Sequence, residues 1–133
     1  VTGMKLATGK AEILRAVMEG ISAQIAHLVS LVGDELGVQL QSLRVDGGLT
    51  NSTKLMQIQA DLLQAPVETY PSAHATALGA AAAMRLALHP ELDVAAGPYA
   101  WQAEARYEPS IEAGEAEAFI SKWIAAVEAN MEF

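Results

Sequence analysis

The chain has 133 residues and a mass of 14.0 kDa, room for one domain with a core and not for two of ordinary size. A hydrophobic fraction of 52% excludes a disordered tail. Sixteen acidic against eight basic residues, a formal net charge of -8, exclude nucleic-acid binding by phosphate neutralisation and attraction to an anionic membrane, and the lack of cysteine excludes disulfides and thiolate chemistry.

From Lys10 to about Leu36, apolar residues recur at steps of three, four and seven: Leu14, Val17, Met18, Ile21, Ile25, Leu28, Val32 and Leu36. That spacing predicts one long amphipathic helix, with Thr8 as its N-terminal cap and Gly37 ending it in a left-handed conformation. A short β-prone run follows, Leu43-Arg44-Val45, closed by Asp46-Gly47-Gly48. Two glycines at the carboxyl end of a strand let the chain turn sharply and expose backbone N–H groups. Thr50, Asn51 or Ser52 then caps a second helix, carrying Leu55, Met56, Ile58, Gln59, Leu62 and Leu63 to about Gln64.

Pro66 to Pro71 reads as a short extended segment whose prolines suit its ends. Ala75 to Leu88 is an alanine- and leucine-rich helix with Gly79 inside it; a helical glycine among small residues points to tight packing, on one side or two. His89-Pro90 stops it. Glu91 to Pro109 is less regular and contains Gly97-Pro98-Tyr99, Trp101 and Tyr107. A last amphipathic helix spans Ala113 or Gly114 to Asn130, with Ala116, Phe119, Ile120, Trp123, Ile124 and Val127 on one face. The acidic excess is concentrated late: Glu91 onward holds nine acids and two bases, whereas Val1 to Pro90 holds seven acids and six bases. No run approaches eighteen uninterrupted apolar residues, and Val1 to Lys10 lacks the features of a secretory signal, so a cytoplasmic location is expected.

The strongest chemical signal is the strand, glycine turn and helix of Leu43 to Asp61. A phosphate or ribose edge can approach such a turn without meeting a Cβ, and orphan N–H donors can face it. The same glycines also suit an ordinary tight loop. Neither GxGxxG nor GxxxxGK[ST] occurs. Asp46 can orient a water, act on a nucleotide-bound magnesium indirectly, or bond the turn's own backbone; Asp61 faces solvent or caps a neighbouring group. His27, His74 and His89 lack metal-ligand spacing, and no serine sits in a nucleophile elbow, so neither a metal site nor a catalytic residue is assigned. Trp101, Tyr107, Phe119 and Trp123 read as core or interface aromatics.

These residues carry a family resemblance. Val45-Asp46-Gly47-Gly48, Leu55-Met56-Gln57 with Gln59-Ala60-Asp61, Pro66-Val67, and Thr76-Ala77-Leu78-Gly79-Ala80-Ala81 occur in order, preceded by Arg15-Ala16 and Glu19-Gly20 in the long helix. The set resembles the carboxyl-terminal domain of the FGGY carbohydrate kinases, the group that includes glycerol kinase and xylulokinase. Tyr107, Pro109 and Trp123 resemble the closing segment of glycerol kinase-like members.

The resemblance implies an α/β fold: part of an actin-like ATPase, ribonuclease H-like domain with long packing helices. Residues 1–133 would be the carboxyl-terminal portion of the second domain, without its first strands. It implies ATP and Mg2+ as cofactors, with Gly47, Gly48, Asn51 and Asp46 on the adenosine and α-phosphate side of the cleft, and Gly79 in a packed structural role. It further implies a sugar or polyol bound elsewhere, an amino-terminal kinase domain as partner, and a segment inactive by itself. Ser52-Thr53 stand where glycerol kinases commonly carry an Asn pair, with Asn51 one place earlier. A non-catalytic nucleotide-binding or homo-oligomeric module is the alternative reading, since two strands alone leave an open sheet edge.

Overall fold

The computed structural model describes residues 3–72, 74–93 and 101–131. Four α-helices, three short strands and one 3-10 turn follow in the order α1 (Lys10–Leu36), β1 (Leu43–Val45), 3-10 turn (Gly48–Asn51), α2 (Thr53–Leu63), β2 (Val67–Thr69), α3 (Ala75–Leu88), β3 (Ala105–Tyr107) and α4 (Ala113–Met131). The α/β class is thus as expected.

The long helix forms where its apolar stripe predicts, but Thr8 is not its cap. Gly9 occupies that position, its N–H donating to Glu12 Oε2 at 3.0 Å, while Thr8 Oγ1 accepts from the N–H of Lys5. The acidic side chain three residues on reaches back to the orphan donor, which leaves the threonine for the preceding turn. At the other end Gly37 adopts φ +62°, and Val38 N–H closes on the Gly33 carbonyl at 3.0 Å.

The sheet has the order β1-β2-β3. β1 and β2 are parallel, Arg44 opposite Glu68; β2 and β3 are antiparallel, Glu68 opposite Arg106. The third strand lies in the stretch read as irregular, so β2 is central, and β1 and β3 are the two edge strands among the described residues. Gly97-Pro98-Tyr99 lies outside those residues. Pro66 and Pro71 flank β2, where their missing N–H groups remove no ladder bond.

One face of the sheet packs on the helices. Val67, fully buried, joins Leu55, Met56 and Ala60 of α2, with Leu43, Val45, Tyr107 and Met18 against them. A second cluster joins α1, α2 and α4 through Ala23, Ala26, Leu62, Phe119, Ile120 and Trp123. His27 lies edge-on to Trp123 at 6.4 Å, at the helix boundary expected of it.

The tight packing expected of α3 is absent. None of its residues is buried, and a Cβ added to Gly79 would meet nothing within 4 Å. Small residues permit close approach but do not supply the approaching element, and here no described element closes on this helix. Leu78, Met84 and Leu88 are exposed in consequence, as are Leu14, Val17, Leu28, Leu31, Val32 and Leu36 of α1. Among the described residues α1 alone is long and apolar enough to cross a membrane, with a mean hydropathy of 1.3 over its most apolar window. Its buried residues Ser22, Ala23 and Ala26 mark the face that packs on α2 and α4.

Candidate functional site

The residues after β1 turn as the glycines predict. Gly47 takes φ +96° and ψ 178°, a conformation closed to side-chain-bearing residues. Its carbonyl is tied down twice, by Thr50 N–H at 3.1 Å and Thr50 Oγ1 at 2.7 Å. Gly48 opens the 3-10 turn that ends at Asn51. A Cβ built on either glycine would enter open space. The bend is therefore rigid in itself and accessible from outside.

A 3-10 turn stands between the glycines and α2, and of the three residues expected to cap that helix it is Ser52 that does so, its Oγ accepting from Leu55 N–H at 3.3 Å. The positive end of the α2 dipole is therefore displaced from the glycines, and what faces outward there is the start of a single short turn. Asp46 and Asn51 are both exposed on this rim. Among the described residues the Asp46 carboxylate has no hydrogen-bond or ion-pair partner.

The remaining sequence motif serves the scaffold. Gln57 Nε2 donates to the Glu108 carbonyl at 2.8 Å and to Asp61 Oδ1 at 2.9 Å. Asp61 Oδ1 also accepts from the Ser110 N–H at 2.7 Å and the Ser110 hydroxyl at 2.9 Å. Together they clamp the segment between β3 and α4 onto α2, so Asp61 caps a neighbouring group, one of the two roles expected of it. Gln59 is buried and donates from Nε2 to the Ser22 carbonyl at 3.3 Å, locking α2 to α1. Their partners lie 37 to 51 residues away, out of reach of local pattern.

On the sheet face away from α2, Arg44, Glu68 and Arg106 form one row across the strands. Glu68, with a side chain 12% exposed, is contacted by Arg106 Nη1, by Arg44 Nε at 3.6 Å and by Trp101 Nε1 at 2.8 Å. Arg106 is raised above the ordinary arginine range chiefly by its hydrogen bond to Glu108, with Glu68 adding less. Arg44 Cζ lies 4.8 Å from the Trp101 ring centroid, and Tyr70 tilts against the same ring at 5.3 Å. Sequence reasoning missed this cluster: Trp101 is not core but a lid on a charged row. Alternation along β1, Leu43 in and Arg44 out, was its only available signal.

Arg44, Asp46, Tyr70, Trp101 and residues Ala75, Leu78, Gly79 and Ala82 of α3 border a cleft of about 270 Å³. It opens at the carboxyl ends of β1 and β2, where open α/β sheets receive ligands. Larger hollows, of about 630 Å³ before the amino ends of β1 and β2 and about 750 Å³ between α1 and α4, lie away from the glycine turn and are gaps between helices. Among the described residues no three His, Asp or Glu side chains gather to hold a metal.

Comparison with known proteins bears on this arrangement. Residues 1–88 match the sequence model of the FGGY family of carbohydrate kinases, C-terminal domain. The chain is 41% identical over 128 residues to a glycerol kinase of Bordetella parapertussis and 37% identical over 131 residues to glycerol kinase 2 of Thermotoga maritima, matching 96% and 98% of itself. It spans about a quarter of the length of these curated relatives, 25% and 26%. The crystal structure of Plasmodium falciparum glycerol kinase with ADP superimposes with a TM-score of 0.83 at 27% identity, over 99% of this chain and 26% of that one. A xylulose kinase from Rhodospirillum rubrum gives 0.78 at 25% identity, over 96% and 26%.

Proposed function

The chain belongs to the FGGY family of carbohydrate kinases, and from that membership we propose that it forms one wall of the ATP cleft in a kinase that phosphorylates a polyol or sugar hydroxyl. The observation that carries this reading is the open bend at Gly47 and Gly48, set at the carboxyl end of a parallel strand with no side chain of the described residues over it. An ADP-containing glycerol kinase among the structures of the same shape supports a nucleotide as the occupant.

In this reading Gly47 and Gly48 admit the adenosine and α-phosphate side of ATP, and the fixed Gly47 carbonyl holds the bend ready for it. Asn51, exposed on the same rim, supplies an amide that can donate or accept. Asp46 supplies an unpaired carboxylate, suited to a ribose hydroxyl or to a water on magnesium. Magnesium would come with the nucleotide's phosphates, since no described residue cluster cages it, and would neutralise charge during γ-phosphoryl transfer. The acceptor, its site and the base that deprotonates it belong to the preceding amino-terminal domain. Relatives named glycerol kinase favour a polyol acceptor.

Phosphoryl transfer needs acceptor, nucleotide and base held together in a desolvated cleft. One wall is insufficient, so the 133-residue chain assayed with ATP and glycerol or a pentulose gives no turnover, while the kinase containing it does. Robust turnover by the chain alone overturns this division of labour.

A further inference from the structure

Arg44 and Asp46 stand two residues apart on β1 and its continuation, and both border the same cleft. Two strand residues span roughly 6.6–6.8 Å, within the reach of an arginine side chain. An arginine so placed should close on an unpaired carboxylate beside it. It does not: Arg44 is drawn the other way, toward Glu68 and over Trp101. Glu68 is the better competitor because it is nearly enclosed, where attraction between charges is less screened, whereas Asp46 is exposed. The Trp101 ring adds its own pull on the guanidinium, and Trp101 is fixed in turn by its Nε1 bond to Glu68. Arg106 completes the neutralisation of Glu68 from β3, leaving one buried acid between two bases.

We propose that Glu68 and Trp101 are positioning residues that hold Arg44 off Asp46 and so keep the Asp46 carboxylate available to the ligand of the glycine turn. The proposal rests on the nucleotide reading for the identity of that ligand, though not for the clamp itself. Without Glu68, Arg44 swings to Asp46, neutralises it and narrows the cleft. Neither Glu68 nor Trp101 touches the nucleotide; each acts through the arginine.

The test is carried out on the kinase that contains this chain. Glu68→Gln is expected to raise KM for Mg·ATP roughly tenfold, the scale of one lost hydrogen bond to a charged group, with KM for the phosphoryl acceptor unchanged. Adding Arg44→Met to Glu68→Gln removes the competitor and restores KM for Mg·ATP to within about twofold of wild type, a rescue that general loosening of the sheet does not allow. Arg44→Met alone shares the double variant's KM for Mg·ATP, because without the arginine Glu68 has nothing to hold; should Glu68→Gln fail to fold, Glu68→Asp, which draws the carboxylate back from Arg44, allows the same comparison. A double variant as impaired as Glu68→Gln overturns the proposal, as does a KM that differs between Arg44→Met and the double variant.

A second readout does not depend on nucleotide. In NMR spectra of the kinase that contains this chain, labelled at arginine and tryptophan, the Arg44 Nε–H shows contacts to the Trp101 ring in wild type and loses them in Glu68→Gln. Arg44 remaining on Trp101 in that variant overturns the clamp. If Asp46→Asn and Gly48→Val both leave KM for Mg·ATP unchanged, it is the nucleotide reading that fails, and the NMR result still decides whether Glu68 holds Arg44.

Discussion

Gly47 and Gly48 are adjacent and alike in composition, yet the structure predicts opposite consequences for replacing them. At Gly47 the backbone sits at φ +96° and ψ 178°, where a side chain is strained whatever the surrounding space. Such strain costs about 1–3 kcal/mol, partly offset by a gain of about 0.4–1 kcal/mol from the less flexible unfolded chain. Gly47→Ala should therefore destabilise by about 1–2 kcal/mol. Unfolding entropy near 2.1 cal/mol/K per residue makes each kcal/mol worth about 4 °C for a chain of this length, so Tm should fall by roughly 4–8 °C. Gly48 has no such backbone, and a Cβ there meets nothing. Gly48→Ala is expected to leave Tm within about 2 °C of wild type. Its effect is on the ligand: Gly48→Val puts bulk where the nucleotide approaches, and ATP affinity in the intact kinase should drop at least tenfold. Calorimetry of unfolding and of ATP binding reads the two effects separately. Equal Tm losses at both glycines refute the backbone argument, and full ATP affinity in a folded Gly48→Val protein removes the turn from the site.

Three other outcomes follow from packing and polar satisfaction. Ser22 is fully buried and its Oγ has no hydrogen-bond partner, so Ser22→Ala should stabilise the chain by up to about 1 kcal/mol, measured by denaturant unfolding; a loss of stability refutes it. Asp61→Ala strips the Ser110 N–H, the Ser110 hydroxyl and Gln57 of one acceptor, and should cost about 1–3 kcal/mol while speeding hydrogen exchange at Ser110. The free edges of β1 and β3, together with the exposed apolar residues of α1 and α3, should make the isolated chain self-associate in light scattering, and a strictly monomeric, cooperatively folded chain argues against those edges needing a cover.

α1, α2 and α4 were legible because each carries a periodic apolar stripe, and α3, Ala75–Leu88, emerges with the bounds its composition suggests. β1 and the bend were legible for a different reason, since two successive glycines after a β-prone run have few other uses. β3 was not: Ala105-Arg106-Tyr107 is too short for alternation to register, and it becomes a strand only by lying against β2. The packing of α3 was misread because sequence records which approach a helix tolerates, not whether a neighbour makes it. At the candidate site, the bend that carries Asp46, Gly47, Gly48 and Asn51 could be read locally. Glu68 and Trp101 could not, as their significance arises from contacts between residues 33 positions apart. The scaffold roles of Gln57, Gln59 and Asp61 were hidden by the same kind of distance.

The family match ends at residue 88, but the folding unit does not. Beyond it, β3 shields the far side of Val67, and Ala116, Ile120 and Trp123 roof the junction of α1 with α2. A polypeptide trimmed to the matched span would retain all four rim residues and forfeit the walls that hold them still. Variation in the last forty-odd residues can thus alter the support beneath the bend from a distance, leaving the recognisable motif untouched.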